Sequence, residues 1–283
     1  MAYKICAFAD EASNALSGQI GTLNERGIRY LEIRNLDGKN IAELTVDEAK
    51  EIRKQLDDNG ISVWSIGSRL GKIGVFDDMA PHLEELRHTL ELAHALGCSN
   101  IRMFSFYIPE GKSAGACKSE VFDRIGKMLD VSRGSGITLC HENEKGIYGD
   151  IAQRCLELAR EFGELKLVFD PANFVQCKQD TLEAWECLAP YVSYLHVKDA
   201  LEDGRIVPAG HGKGNLARLI ADYRTCGGEV MTLEPHLTLF EGLAALENRT
   251  IAKEDFPFEY ASASEAFAAA HDALKKIIDQ RMV

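Results

Sequence analysis

The 283-residue sequence has no cluster of lysine and arginine, no Cys-x-x-Cys pair and no apolar run long enough to span a membrane. Because its formal net charge of -12 opposes binding to phosphates, we expect no nucleic-acid partner. The eight cysteines are scattered without a zinc-knuckle or disulfide spacing, which fits reduced thiols. The opening MAYKICAFADEAS has only a short apolar stretch before Asp10, so we expect no signal peptide and no membrane anchor. The sequence therefore predicts a cytoplasmic protein.

Length and composition fit one α/β domain. A chain of 283 residues is about the length of one complete closed α/β barrel and is too short for two full-size domains. The 46% of hydrophobic residues is enough for a sizeable core. We therefore predict a single domain over residues 1–283.

Short apolar or β-branched runs alternate with amphipathic stretches, which is the pattern of a parallel sheet built from βα units. Strands are predicted at Lys4–Ala9, Tyr30–Arg34, Ser62–Ile66, Asn100–Phe104, Thr138–Glu142, Leu167–Asp170, Ser193–Lys198 and Val230–Pro235. A doubly wound open sheet is the alternative, but it requires a glycine-rich phosphate motif after the first strand, where this chain has FADEAS. The predicted fold is an α/β (β/α)8 TIM barrel.

The stretches between the predicted strands have apolar residues three and four positions apart, as amphipathic helices do, and most end near glycine. Thr45 and Glu48 have the spacing of a capping box, which predicts the start of a helix there. A ninth helical stretch, Ser262–Gln280, follows a longer loop at 236–261. This helix would cover the barrel after the last strand.

Four polar residues close four consecutive predicted strands: Glu142, Asp170, His196 and Glu234. They are separated along the chain by 28, 26 and 38 residues, each about one strand, helix and loop. Because active sites of βα barrels lie at the carboxyl ends of the strands, we expect the four side chains to converge there. Each alone is also explained as a turn residue, a helix cap or a core histidine.

Together, the four residues predict a metal site. Three carboxylates that converge inside a barrel repel one another and lose their hydration unless a cation compensates them. Three oxygen-donor residues and one imidazole suit one divalent ion with open positions for substrate, and suit a closed structural zinc site poorly. Mn²⁺ is favoured, with Mg²⁺, Co²⁺ and Zn²⁺ as alternatives.

The segments CHEN, FDPANF, YLHVKDA and LEPH, in this order and at this spacing, resemble the xylose isomerase-like TIM barrel superfamily, specifically its sugar phosphate isomerase/epimerase branch. FADEAS, YLEIRNLDGKNI and VWSIGSRLGKIG extend the resemblance over nearly the whole chain. The resemblance implies a metal held by Glu142, Asp170, His196 and Glu234, with both glutamates also serving as acid and base. It also implies a sugar or polyol substrate and a homo-oligomer, since members are often dimers or tetramers.

One position departs from the ketose 3-epimerase members of that branch. They have a substrate-binding histidine three residues after the aspartate of the sixth strand, and this chain has Asn173. Asn173 is therefore a candidate substrate-binding residue, and epimerisation at that carbon is in doubt.

Other polar residues near the predicted strand ends are candidates for substrate contacts. Lys198 shares a strand face with His196, and His236 shares one with Glu234. A salt bridge to a neighbouring carboxylate is an equal alternative for Lys198. An ion-pair network at the barrel mouth is an equal alternative for Arg34 and Arg102. The loop PAGHGKGN, which contains His211, either folds over an anionic substrate group or is a flexible loop without a ligand.

The first functional hypothesis is an enzyme, a metal-dependent sugar, sugar phosphate or keto-sugar isomerase or epimerase that transfers a proton through an enediolate. A keto-inositol dehydratase or keto-glycoside lyase with the same metal site is the second. A nuclease of the same superfamily would need more histidines and a basic face, and the chain has neither. A non-catalytic sugar-binding barrel is the alternative of another class.

Overall fold

The computed structural model describes residues 3–243 and 251–280. Eight parallel strands close into a barrel in which each strand pairs with its neighbours in chain order and the last pairs with the first. We number them β1 Lys4–Ala7, β2 Tyr30–Ile33, β3 Ser62–Gly67, β4 Asn100–Met103, β5 Thr138–Glu142, β6 Lys166–Phe169, β7 Val192–Val197 and β8 Val230–Leu233. The predicted (β/α)8 barrel is confirmed.

Helices follow the strands and cover the outside of the barrel. They are α1 Leu16–Glu25, α2 Val46–Asp58, α3 Met79–Leu96, α4 Ala114–Ser132, α5 Ala152–Glu161, α6 Pro171–Gln176, α7 Thr181–Leu188, α8 Leu216–Thr225 and α9 Ala263–Asp279. Within the described residues, no helix is long and apolar enough to cross a membrane.

The helix ends agree with the sequence signals. Thr45 and Glu48 form the predicted capping box at the start of α2, each side chain bonding the other residue's backbone N–H. Gly97 ends α3 in the left-handed conformation, where a Cβ would be strained. The helix α9 lies within the predicted stretch Ser262–Gln280. Part of the predicted loop 236–261, residues 244–250, lies outside the described residues.

The barrel interior has two layers of different chemistry. Toward the amino-terminal ends of the strands, buried apolar side chains pack together: Cys6, Cys140, Val168, Tyr194 and Val230. The same inward face carries an ionisable side chain two residues after the apolar one at β5, β6 and β7, and four residues after Val230 at the end of β8. Since side chains alternate between the two faces of a strand, an even number of residues leads from core to site without leaving the barrel interior.

Candidate metal centre

Four ionisable side chains meet at the carboxyl ends of β5 to β8. A ligand atom from each of Glu142, Asp170, His196 and Glu234 lies within 4.8 Å of those of the other three. All four residues are at most 2% exposed. The structure thus brings together the four residues that the sequence singles out, because neighbouring parallel strands end at the same height.

The imidazole of His196 lies at the centre of this group. Its Nδ1 is 3.1 Å from Glu142 Oε1 and 3.2 Å from Glu234 Oε2. Its Nε2, on the other side of the ring, is 3.2 Å from Glu32 Oε2. Burial would lower the pKa of His196, but these three carboxylates raise it well above its ordinary value.

Two arginines cross the mouth and bind the glutamates. Arg34 forms a bidentate pair with Asp10, at 2.9 and 3.1 Å, and its Nη1 donates to Glu234 Oε1 at 3.3 Å. Arg102 Nη1 is 3.2 Å from Glu142 Oε2. Both guanidinium groups lie over the ring of Phe8, at 4.3 and 5.2 Å from its centroid. The ion-pair network left open by the sequence is therefore present at both arginines.

Lys198 also forms the salt bridges that its position allowed. Its Nζ is 2.8 Å from Asp170 Oδ2 and 3.0 Å from Glu234 Oε2. Burial opposes the charged form, but the two carboxylates raise the pKa of Lys198 well above its ordinary value. Lys198 is thus a buried cation directed at two of the four candidate ligands.

Asp170 serves the helix as well as the cluster. Its Oδ1 accepts from the backbone N–H of Asn173 at 2.9 Å and caps α6, while its Oδ2 faces Lys198. Burial raises the pKa of Asp170 to about 7 against the effect of the Lys198 ammonium. The side chain of Asn173 donates to Glu142 Oε1 at 3.2 Å and to the Asn143 carbonyl at 2.9 Å. Asn173 therefore positions one of the candidate ligands.

His236 also lies in the mouth, as the sequence predicts, and it brings in a partner that the sequence analysis did not identify. Its Nε2 is 3.4 Å from Glu234 Oε1 and 3.5 Å from Glu11 Oε1, and its backbone N–H donates to Glu11 Oε2 at 2.6 Å. Glu11, Glu234 and His236 form a second close group of possible ligands that shares Glu234. Glu11 lies in the FADEAS segment, but nothing in its spacing pointed to this contact.

A family model described as xylose isomerase-like TIM barrel matches residues 21–249. The chain belongs to the xylose isomerase-like TIM barrel family. Its relative YihM of Escherichia coli strain K12 is 23% identical over 197 residues, which cover 69% of this chain. They cover 54% of YihM, so the match spans about half of that relative.

Solved structures show the same fold over almost the whole chain. The IolI protein with a zinc atom shares 15% identity, covers 98% of each chain and has a TM-score of 0.74. The probable 3-DHS dehydratase AsbF of Bacillus anthracis shares 16%, covers 97% and 99%, and has the same score. D-psicose 3-epimerase of Clostridium cellulolyticum H10, solved with D-tagatose, shares 15%, covers 98% of each chain and scores 0.74.

A cavity of about 430 Å³ opens at the mouth of this xylose isomerase-like barrel. His236 borders it from the end of β8, and Lys145, Gln176 and Arg205 border it from the surrounding loops. Lys145 donates to Gln176 at 3.1 Å, and Arg205 pairs with Asp203 at 2.8 Å. Ile206, Leu243, Ile251 and Phe256 complete the lining, so the cavity has mixed polar and apolar walls and the volume of a small-molecule site.

The loop PAGHGKGN is fixed by a protein carboxylate. The backbone N–H groups of Gly210, Gly212 and Gly214 donate to the buried Asp199 at 2.9, 3.0 and 2.8 Å. The exposed His211 directs its ring edge-on to Phe258, 5.9 Å away. The Asp199 carboxylate thus takes the place that the sequence analysis left open for an anionic substrate group.

We expect Gly212→Ala to lower the free energy of unfolding by about 1–3 kcal/mol, because its Cβ would lie 2.3 Å from Asp199 Oδ1 and 2.4 Å from the Ala200 carbonyl oxygen. Gly21→Ala, in α1, is the control. Its Cβ meets nothing within 4 Å, so it should be neutral or stabilise by up to about 1 kcal/mol. Urea unfolding measures both. Equal stability of Gly212→Ala and the parent would contradict the close packing of this loop.

Proposed function

We propose that the chain is an enzyme, a metal-dependent isomerase or epimerase of a sugar, sugar phosphate or keto-sugar. The observation that carries the proposal is the convergence of Glu142, Asp170, His196 and Glu234 within 4.8 Å inside a closed barrel. The epimerase among the similar structures supports this class of reaction. The proposed substrate is a small sugar or polyol that reaches the cluster through the cavity of about 430 Å³ at the mouth, where His236 contacts Glu234.

The residues present fit a divalent cation. Six carboxylates are buried at the mouth, those of Asp10, Glu11, Glu32, Glu142, Asp170 and Glu234, beside the cations of Arg34, Arg102 and Lys198 and the imidazoles of His196 and His236. A bound divalent ion would offset the remaining negative charge. The donor set of three carboxylates and one imidazole suits Mn²⁺, which we propose, and also Mg²⁺, Co²⁺ or Zn²⁺. The zinc atom in the IolI structure supports a divalent metal.

Glu142 and Glu234 are the proposed acid and base. They approach His196 Nδ1 from the ends of β5 and β8, so a substrate held beside a bound metal would have one carboxylate on each side. When bound, the metal would polarise the substrate carbonyl and acidify the neighbouring C–H. One glutamate then removes the α proton and the other returns a proton to the resulting enediolate. Asn173 and Arg102 fix Glu142, while Arg34 and Lys198 fix Glu234.

Elimination is the second candidate, and two observations favour it. A probable dehydratase is among the similar structures. Asn173, which replaces the substrate-binding histidine of ketose 3-epimerases, donates to Glu142 and to the backbone. In a dehydratase or lyase one glutamate removes the α proton, and the other protonates the departing hydroxyl or glycosidic oxygen, which leaves as water or as an alcohol while the C=C bond forms.

The deciding experiment is a screen of the Mn²⁺-loaded protein against keto-sugars and keto-inositols in deuterated water, with product analysis by NMR after the metal is removed. Deuterium at one substrate carbon with retained composition supports the isomerase or epimerase. Loss of water or of a glycosidic group identifies the lyase. Binding of a sugar without exchange or conversion would indicate the non-catalytic barrel and overturn the proposal.

Metal analysis gives the first prediction for this site. We expect about one divalent ion per chain in the parent protein, and strong depletion in the Asp170→Ala, His196→Ala double variant, since half of the donor residues are gone. The exposed pair Asp58→Ala, His94→Ala is the matched control and should keep its metal. Full metal content in the first variant would refute the site.

The glutamates give the next prediction. Glu142→Gln and Glu234→Gln each keep one oxygen donor but remove the basic carboxylate, so kcat should fall by roughly a hundredfold or more. Metal affinity, measured by calorimetry, should fall far less. Glu229→Gln, in a surface pair with Lys4, is the control and should keep both. If both site variants exchange substrate α protons at the parent rate with metal bound, neither glutamate is the base.

A further inference from the structure

Glu32 is a fully buried carboxylate that the proposed reaction does not use. It lies in β2 opposite Ser65, at a bulge where the register with β3 shifts by one residue. Its Oε1 accepts from the hydroxyl of Tyr194 at 2.9 Å, and its Oε2 is 3.2 Å from His196 Nε2. A buried carboxylate therefore lies directly behind one of the candidate ligands, on the side away from the other three.

We propose that Glu32 is a positioning residue that fixes the orientation and the tautomer of His196. An ionised carboxylate has no proton to donate, so the imidazole nitrogen that faces it must carry the hydrogen. With the proton on Nε2, the lone pair of Nδ1 points to the place where Glu142 and Glu234 converge, 3.1 and 3.2 Å away. The inference rests on the metal site of the proposed function.

The surroundings of the ring restrict its rotation. Phe8 contacts the His196 ring edge-on at a centroid distance of 5.4 Å, and the Tyr194 ring lies 5.6 Å away on a neighbouring position of the same strand. A ring flip would place a ring carbon of His196 beside Glu32 Oε2, where Nε2 now lies. This buried carboxylate oxygen would then lose its hydrogen-bond donor. Glu32 thus sets which nitrogen is presented to the metal, and its charge makes that nitrogen a stronger donor.

Tyr194 provides a matched control because its hydroxyl binds the same carboxylate. Tyr194→Phe removes a buried hydrogen bond to Glu32 Oε1 but leaves the charge beside His196. Glu32→Gln keeps the size of the side chain but removes the charge and can donate to Nε2, which favours the wrong tautomer. A merely structural role of Glu32 predicts similar effects of the two variants on metal binding.

Calorimetric titration with Zn²⁺ or Mn²⁺ tests the inference on the full chain. Glu32→Gln should weaken metal binding by about 10–100-fold, and Tyr194→Phe should stay within about threefold of the parent. Equal losses in both variants, or parent-like affinity of Glu32→Gln, would overturn the role of Glu32. Failure of the parent itself to bind metal would instead refute the proposed function.

The parent protein offers a test that does not depend on the folding of a variant. In the Zn²⁺-loaded chain labelled with ¹⁵N-histidine, two-bond ¹H–¹⁵N correlations show which ring nitrogen carries the proton. We expect the proton of His196 on Nε2 and the metal on Nδ1. A proton on Nδ1, with zinc on Nε2, would overturn the inference.

Discussion

The excess of buried negative charge at the barrel mouth is the constraint on which the arrangement of the site depends. An ionised carboxylate removed from water costs several kcal/mol unless other groups replace its hydration. Here specific contacts replace that hydration. Arg34 and Lys198 bind Glu234, Arg102 binds Glu142, and backbone amides bind Asp199. The side chains at the mouth therefore hold one another in place, and the site is organised by charge more than by shape.

The barrel makes this organisation possible because its strands set the heights of the side chains. The inward face changes from Tyr194 to His196 and from Val168 to Asp170 within two residues, so an apolar floor lies directly under the charges. Phe8 completes that floor by stacking under two guanidinium groups. A polar floor would hydrate the carboxylates and weaken every contact above it.

Much of this architecture could be predicted from the sequence, because alternation within a strand and one ligand per βα unit are local patterns. The four candidate ligand positions follow from those patterns alone. The contacts of Glu32 and Glu11 could not be predicted, since their partners His196 and His236 are more than 160 residues away along the chain. Several strands end one or two residues earlier than predicted, as at Ala7, Ile33 and Leu233, because a strand ends where its backbone pairing ends and the side-chain pattern does not show that point.

Asp170 joins a candidate ligand and a helix cap in one side chain, one oxygen for α6 and the other for the cluster. A helix cap contributes about 1 kcal/mol to stability whether or not the protein has any activity. Selection for folding alone would therefore retain an aspartate at this position in a descendant that had lost catalysis. Asp170 is therefore a weaker marker of the proposed metal site than Glu142 or His196, since it also caps a helix.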